Sequence, residues 1–119
     1  MIVEDEVMVA WAMETLVEEM GHKVVGLHSG GAAAIAAFAQ DLPDLLLMDI
    51  NLGSDLDGIE TARRIRAVSA VPILFISAYG DAATRHRIAE AVPGAALLSK
   101  PVQPHALKRA IDEAVATPH

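Results

Sequence analysis

The chain has 119 residues, 53% of them hydrophobic and 21% charged, which suits one compact domain with a real core and excludes a disordered chain. Sixteen acidic residues against nine Lys and Arg give a formal net charge of -7; such a surface repels phosphate backbones, argues against direct nucleic-acid binding, and accommodates a cation or a basic partner. The absence of cysteine excludes disulfides, thiolate metal sites and a cysteine nucleophile, and 3% aromatic residues leave no stacking platform for bases or sugars. No uncharged stretch is long enough for a membrane span and no signal-peptide pattern opens the chain, so a cytoplasmic location without membrane contact is expected.

Met1–Val3 is apolar and stops at Glu4-Asp5-Glu6. From Glu6 to Met20, residues Ala10, Met13, Leu16, Val17 and Met20 recur at helical spacing, and Gly21 stops the helix. Lys23–His28 reads as a strand, and the alanine-rich Gly31–Gln40 as a helix with Ile35 and Phe38 on one side. Leu45–Met48 is a buried strand ending at Asp49, followed by a loop over Ile50–Asp57. Gly58–Val68 places Ile59, Ala62, Ile65 and Val68 inward and Arg63, Arg64 and Arg66 outward. Pro72–Ile76 is a second fully apolar strand. Asp81 can cap a helix running to about Ala91, Ala95–Ser99 is a short strand, and Pro104 can open a last helix.

Strand and helix thus alternate five times. Strands apolar on both faces require a parallel sheet covered by helices, and right-handed crossovers give an open, doubly wound α/β sheet. Ligands in such sheets sit beyond the carboxyl ends of the strands. Those positions hold Glu4 and Asp5 after the first strand, Asp49 after the third, Ser77 after the fourth and Lys100-Pro101 after the fifth. Clustered carboxylates resist ionising together unless a cation neutralises them. Oxygen ligands suit a hard ion, magnesium or manganese over zinc. Carboxylates, a hydroxyl and a lysine are the equipment of phosphoryl transfer, in which positioning and charge neutralisation dominate.

At this point the sequence resembles the receiver domains of two-component response regulators, over nearly its whole length. The resemblance rests on Ile2–Glu6, Leu45–Asn51, Asp57-Gly58, Ile76–Ala78 and Ser99–Pro101, in register. It implies a five-stranded flavodoxin-like receiver over residues 1–119. It implies that Asp49 accepts a phosphoryl group from a phosphohistidine on a histidine kinase or histidine phosphotransfer protein. Asp5 and Asp49 would ligate magnesium with the Asn51 carbonyl, Glu4 acting through bound water. Ser77 would hydrogen-bond a phosphoryl oxygen, and Lys100 would pair with the phosphoryl group or with Asp49. The domain would be a self-phosphorylating and autodephosphorylating signalling unit rather than a turnover enzyme, with a homodimer left open.

The chain departs from the family pattern in four places. Glu4 stands where aspartate is usual. The Asn51–Asp57 loop is one residue longer, with Gly53 where proline is common, and is expected to be more mobile. Leu97 takes the place of the aromatic switch residue. The first strand starts at Met1, slightly short of a full family strand; either residues precede it or the strand starts there. Phe75–Tyr79 resembles the fourth-strand signature of an atypical receiver subgroup that also lacks that aromatic, and Tyr79 is expected to move as Ser77 is drawn toward the phosphoryl group.

Simpler readings exist for each residue. Asp49 alone would be a cap or loop residue, Lys100 a solvated lysine and Ser77 a satisfied strand-end hydroxyl; only their register lifts them. Asp55 and Asp57 read as loop and helix-start residues, and Gly58 as a packing glycine. The five histidines lack metal-ligand spacing. The proline after Lys100 favours an extended or turn conformation and admits a cis bond. Trp11 and Met13 read as helix packing, with Trp11 partly exposed. Two rival functions remain. A haloacid-dehalogenase-type phosphohydrolase wants a second acid where Asn51 stands, and a cap domain for which there is no length. The other is a pseudo-receiver, a protein-interaction module without phosphorylation.

Overall fold

The structure is a computed structural model that describes residues 1–53, 56–78 and 80–116. Asp55, Tyr79 and His119 therefore lie outside the described residues, and with them the expected movement of Tyr79. Strands β1 (Ile2–Val3), β2 (Leu27–His28), β3 (Leu46–Asp49), β4 (Ile73–Ser77) and β5 (Ala96–Ser99) alternate with helices α1 (Val7–Glu19), α2 (Gly31–Asp41), α3 (Gly58–Arg66), α4 (Ala82–Ala91) and α5 (Pro104–Ala116). All strand pairs are parallel, in the order β2-β1-β3-β4-β5. This is the doubly wound, flavodoxin-like α/β sheet that the sequence requires.

Two apolar layers cover the sheet. On one face Met48 and Phe75 pack with Ala34 and Phe38 of α2, Ile59 and Ile65 of α3 and Ile88 of α4. On the other, Ile2, Leu47, Leu74 and Ile76 pack with Met13 and Val17 of α1 and Leu107 and Ile111 of α5. β3 and β4 are buried throughout, and each fully covered large side chain contributes about 1.5–3 kcal/mol. The edge strand β5 is half-open, because only β4 pairs with it.

Helix starts follow the sequence signals. Asp57 caps α3 by accepting the Glu60 N–H at 2.8 Å, and Asp81 caps α4 by accepting that of Thr84 at 2.8 Å. Glu60 in the first turn of α3 and three arginines in its last turn complement the helix dipole. Of those arginines, Arg66 turns back to donate to the Val71 carbonyl at 3.0 Å. α2 runs to Asp41 and ends at Leu42 in the left-handed region, φ 43°.

The second strand is the main departure from expectation. Instead of Lys23–His28, only Leu27 and His28 pair, because β1 offers just Ile2 and Val3 as partners. The Lys100-Pro101 bond is cis.

Candidate functional site

The carboxyl ends of β1, β3, β4 and β5 converge as the strand order demands. Glu4 and Asp49 are each 2% exposed and Ser77 is 1% exposed, whereas Asp5 is only partly covered. One carboxylate oxygen from each of Glu4, Asp5 and Asp49 falls within 4.8 Å of the others. Lys100 reaches in from the end of β5: its Nζ lies 2.9 Å from Glu4 Oε1 and 3.4 Å from Asp49 Oδ2.

Backbone amides fix each carboxylate. Asp49 Oδ1 accepts the Asn51 N–H at 3.2 Å, Glu4 Oε2 accepts that of Glu6 at 3.2 Å, and Asp5 Oδ2 accepts that of Gly53 at 3.1 Å. The Lys100 N–H donates to the Ser77 carbonyl at 2.9 Å, tying the ends of β4 and β5. Asp49 is seated from behind by Gly58. The Gly58 N–H donates to the Ile50 carbonyl at 2.8 Å, and a Cβ at position 58 would collide with the Asp49 carbonyl. Here the close approach of two backbones, not a turn, demands glycine.

The electrostatics follow from crowding. Burial, then the neighbouring Asp49, pushes the Glu4 carboxyl up from 4.5 to about 7, against the Lys100 ammonium and the Glu6 N–H. Burial alone would lower the pKa of Lys100, but Glu4 and Asp49 outweigh it and hold the ammonium charged. Buried acids outnumber the one cation beside them, so the donor set is short of positive charge. Three oxygen donors with a positive-charge deficit fit a hard divalent ion.

The structure thus brings together Glu4, Asp5, Asp49 and Lys100, with Ser77 at the end of β4 and Asn51 just after β3. Leu97 lies in β5, half-buried against the α2–α3–α4 side of the core. The expected loop residue Asp57 caps α3 and also takes the Arg87 guanidinium of α4 at 2.6 Å. Sequence reasoning missed the amides of Glu6 and Gly53. The second had a signal: a proline at position 53 would have no N–H to offer Asp5.

Residues 1–112 match the response regulator receiver domain family. The chain is similar to the phyllosphere-induced regulator PhyR of Methylorubrum extorquens, 32% identical over 116 residues that make up 97% of this chain and 42% of that protein. Among solved structures it resembles the signal receiver domain of a modulated diguanylate cyclase from Desulfovibrio desulfuricans G20, with a TM-score of 0.88, 36% identity, and coverage of 97% of this chain and 90% of that one. It also resembles the response regulator PhyR from Brucella abortus, with a TM-score of 0.80, 28% identity, and coverage of 97% of this chain but 46% of that one.

With its fold and the register of its site residues, the chain belongs to the response regulator receiver family of two-component systems. It spans less than half the length of the PhyR proteins it matches. Receiver domains are in general magnesium-dependent and interact with histidine kinases or phosphotransfer proteins. Among the described residues no helix is long and apolar enough to cross a membrane.

Proposed function

We propose that Asp49 accepts a phosphoryl group from a phosphohistidine on a histidine kinase or histidine phosphotransfer protein. The observation that carries this reading is the setting of the Asp49 carboxylate: 2% exposed, held through Oδ1 by the Asn51 N–H, and facing the Lys100 ammonium through Oδ2. A carboxylate oxygen of Asp49 forms the new P–O bond in line as the P–N bond to the donor breaks and the imidazole departs. Lys100 neutralises charge gathering on the transferred oxygens, and the Ser77 hydroxyl donates to one of them. Magnesium, with manganese as the alternative, would be held by Asp5, Asp49 and the Asn51 carbonyl with Glu4 through water, and would supply further positive charge to the phosphoryl oxygens. The acyl phosphate then biases the turns after β4 and β5, which the bond between Lys100 and Ser77 already joins.

Incubation with acetyl phosphate or phosphoramidate plus magnesium, followed by intact mass, tests this. One acid-stable, base-labile phosphoryl group is expected, and Asp49→Asn should lose it. Full labelling of that variant would overturn the assignment.

A second reading is a receiver-fold module that works by protein contact without phosphorylation. It draws on a relative described as the anti-anti-sigma factor PhyR from Bartonella quintana, which is 29% identical to this chain. It predicts no mass change under the same conditions.

A further inference from the structure

Asp5 differs from its two acidic neighbours in what holds it. Glu4 and Asp49 face the Lys100 ammonium at 2.9 and 3.4 Å. Asp5 is the most open of the three and has no cation partner among the described residues. One of its oxygens nevertheless lies within 4.8 Å of an oxygen of each of the other two. Like charges at that separation push an open carboxylate outward, toward water. What opposes the push is one backbone bond: the Gly53 N–H donates to Asp5 Oδ2 at 3.1 Å. Oδ1 has no hydrogen-bond partner among the described residues.

The chain leading to position 53 is built for that bond. Ile50 and Leu52, just after β3, are buried at 4% and 6% exposure. The Leu52 N–H turns back to the Ile50 carbonyl at 3.2 Å. These anchors set the direction of the next amide, which is that of Gly53. Position 53 is fitted to Asp5 in a second way. A Cβ there would stand 3.1 Å from Asp5 Oδ2, closer than ordinary contact. Glycine therefore leaves the carboxylate where it is, while any larger side chain leans on it.

We propose that Gly53 is a positioning residue of the metal site: its N–H turns the Asp5 carboxylate toward Glu4 and Asp49 and holds it there before an ion binds. The inference rests on the reading of Asp49 as a magnesium-dependent phosphoryl acceptor, and adds a loop amide to the groups on which the site depends. A bond from an N–H to an ionised oxygen is stronger than one between neutral groups. With Oδ2 engaged by backbone and Oδ1 left open, the fold rather than the ion gathers the three acids, which is preorganisation.

The test uses the full chain with one backbone atom changed. Glycolic acid in place of Gly53 exchanges its N–H for an ester oxygen and leaves every side chain as it was. The α-hydroxy acid of leucine in place of Leu52 does the same to the neighbouring loop bond and serves as the control. In calorimetric titration the Gly53 ester should bind magnesium about tenfold more weakly than the parent, and the Leu52 ester nearly as the parent does. In the metal-free protein, the Asp5 Hα–Hβ couplings should pass from those of one rotamer to an average over several, in the Gly53 ester alone. Unchanged magnesium affinity of the Gly53 ester, a single Asp5 rotamer in it, or an equal loss in both esters would overturn the proposal and leave the labelling of Asp49 standing. A parent that takes up neither magnesium nor the phosphoryl group would refute the phosphoryl-acceptor reading, and this inference with it.

Discussion

Replacing Asp49 by Asn should stabilise the metal-free protein at neutral pH while abolishing phosphorylation. Glu4 is raised from 4.5 to about 7, by burial first and by Asp49 next. An acid whose folded pKa lies above its unfolded value binds more protons when folded. Its ionisation therefore destabilises the fold progressively from about pH 4.5 to pH 7, and fully above that. The full penalty is about 3 kcal/mol at 1.4 kcal/mol per unit, and burial keeps the larger share in the variant. Removing the Asp49 charge takes away the second of these causes, so stability at pH 7.5 should rise by about 1 kcal/mol, a few degrees in Tm for a domain of this size. At pH 5, where Glu4 is largely protonated, the gain should shrink. The assay is thermal melting of both proteins in a chelator at pH 5.0, 6.0 and 7.5. Other carboxylates, such as Glu60 and Asp81 with their lowered pKa values, contribute alike to both, so the difference reports on Asp49 and its contacts with Glu4 and Lys100. A variant that melts below the parent at pH 7.5, or a gain that does not diminish on acidification, would refute the reasoning.

Magnesium should raise the melting temperature of the parent by binding the folded state alone, and Asp5→Ala should remove both that shift and the phosphoryl labelling seen by intact mass. Gly58→Ala should lower stability by about 1–3 kcal/mol or more in denaturant melts, because the new methyl group must displace the Asp49 backbone, and labelling should slow with it. Arg87→Ala should cost less than about 1 kcal/mol, as its pair with Asp57 is exposed. Asp57→Ala should cost more, since it also removes the α3 cap; equal losses in urea titrations would contradict that ordering.

The fold was legible because apolar runs such as Leu45–Met48 and Pro72–Ile76 have no polar face to offer water, so only a sheet covered on both sides suits them. The site was legible for the same reason: Asp49 and Ser77 are polar interruptions placed where such runs end. What escaped was backbone chemistry. Nothing in the side chain of Glu6 announces that its amide holds Glu4, and at Gly53 the one signal was the absence of a proline, which would have no N–H for Asp5. The shortness of β2 escaped too, since Val24 and Val25 have every propensity for a strand and lack only a neighbour. Nor did the sequence announce that Gly53 binds Asp5 across 48 residues of sequence.

Lys100 stands at the meeting of two claims on a single ammonium. It lies nearer to Glu4 than to Asp49, 2.9 against 3.4 Å, and its own amide is fastened to the end of β4. Any negative charge added to Asp49 enters a contest that Glu4 currently leads. A shift of the Lys100 head group toward Asp49 leaves a buried acid without its counterion and pulls on a backbone already clasped to its neighbour. The edge strand β5, half-open and paired on one side only, is the part of the sheet least able to resist that pull. Under the proposed phosphorylation of Asp49, a displaced Lys100 would make itself felt first at this rim of the sheet.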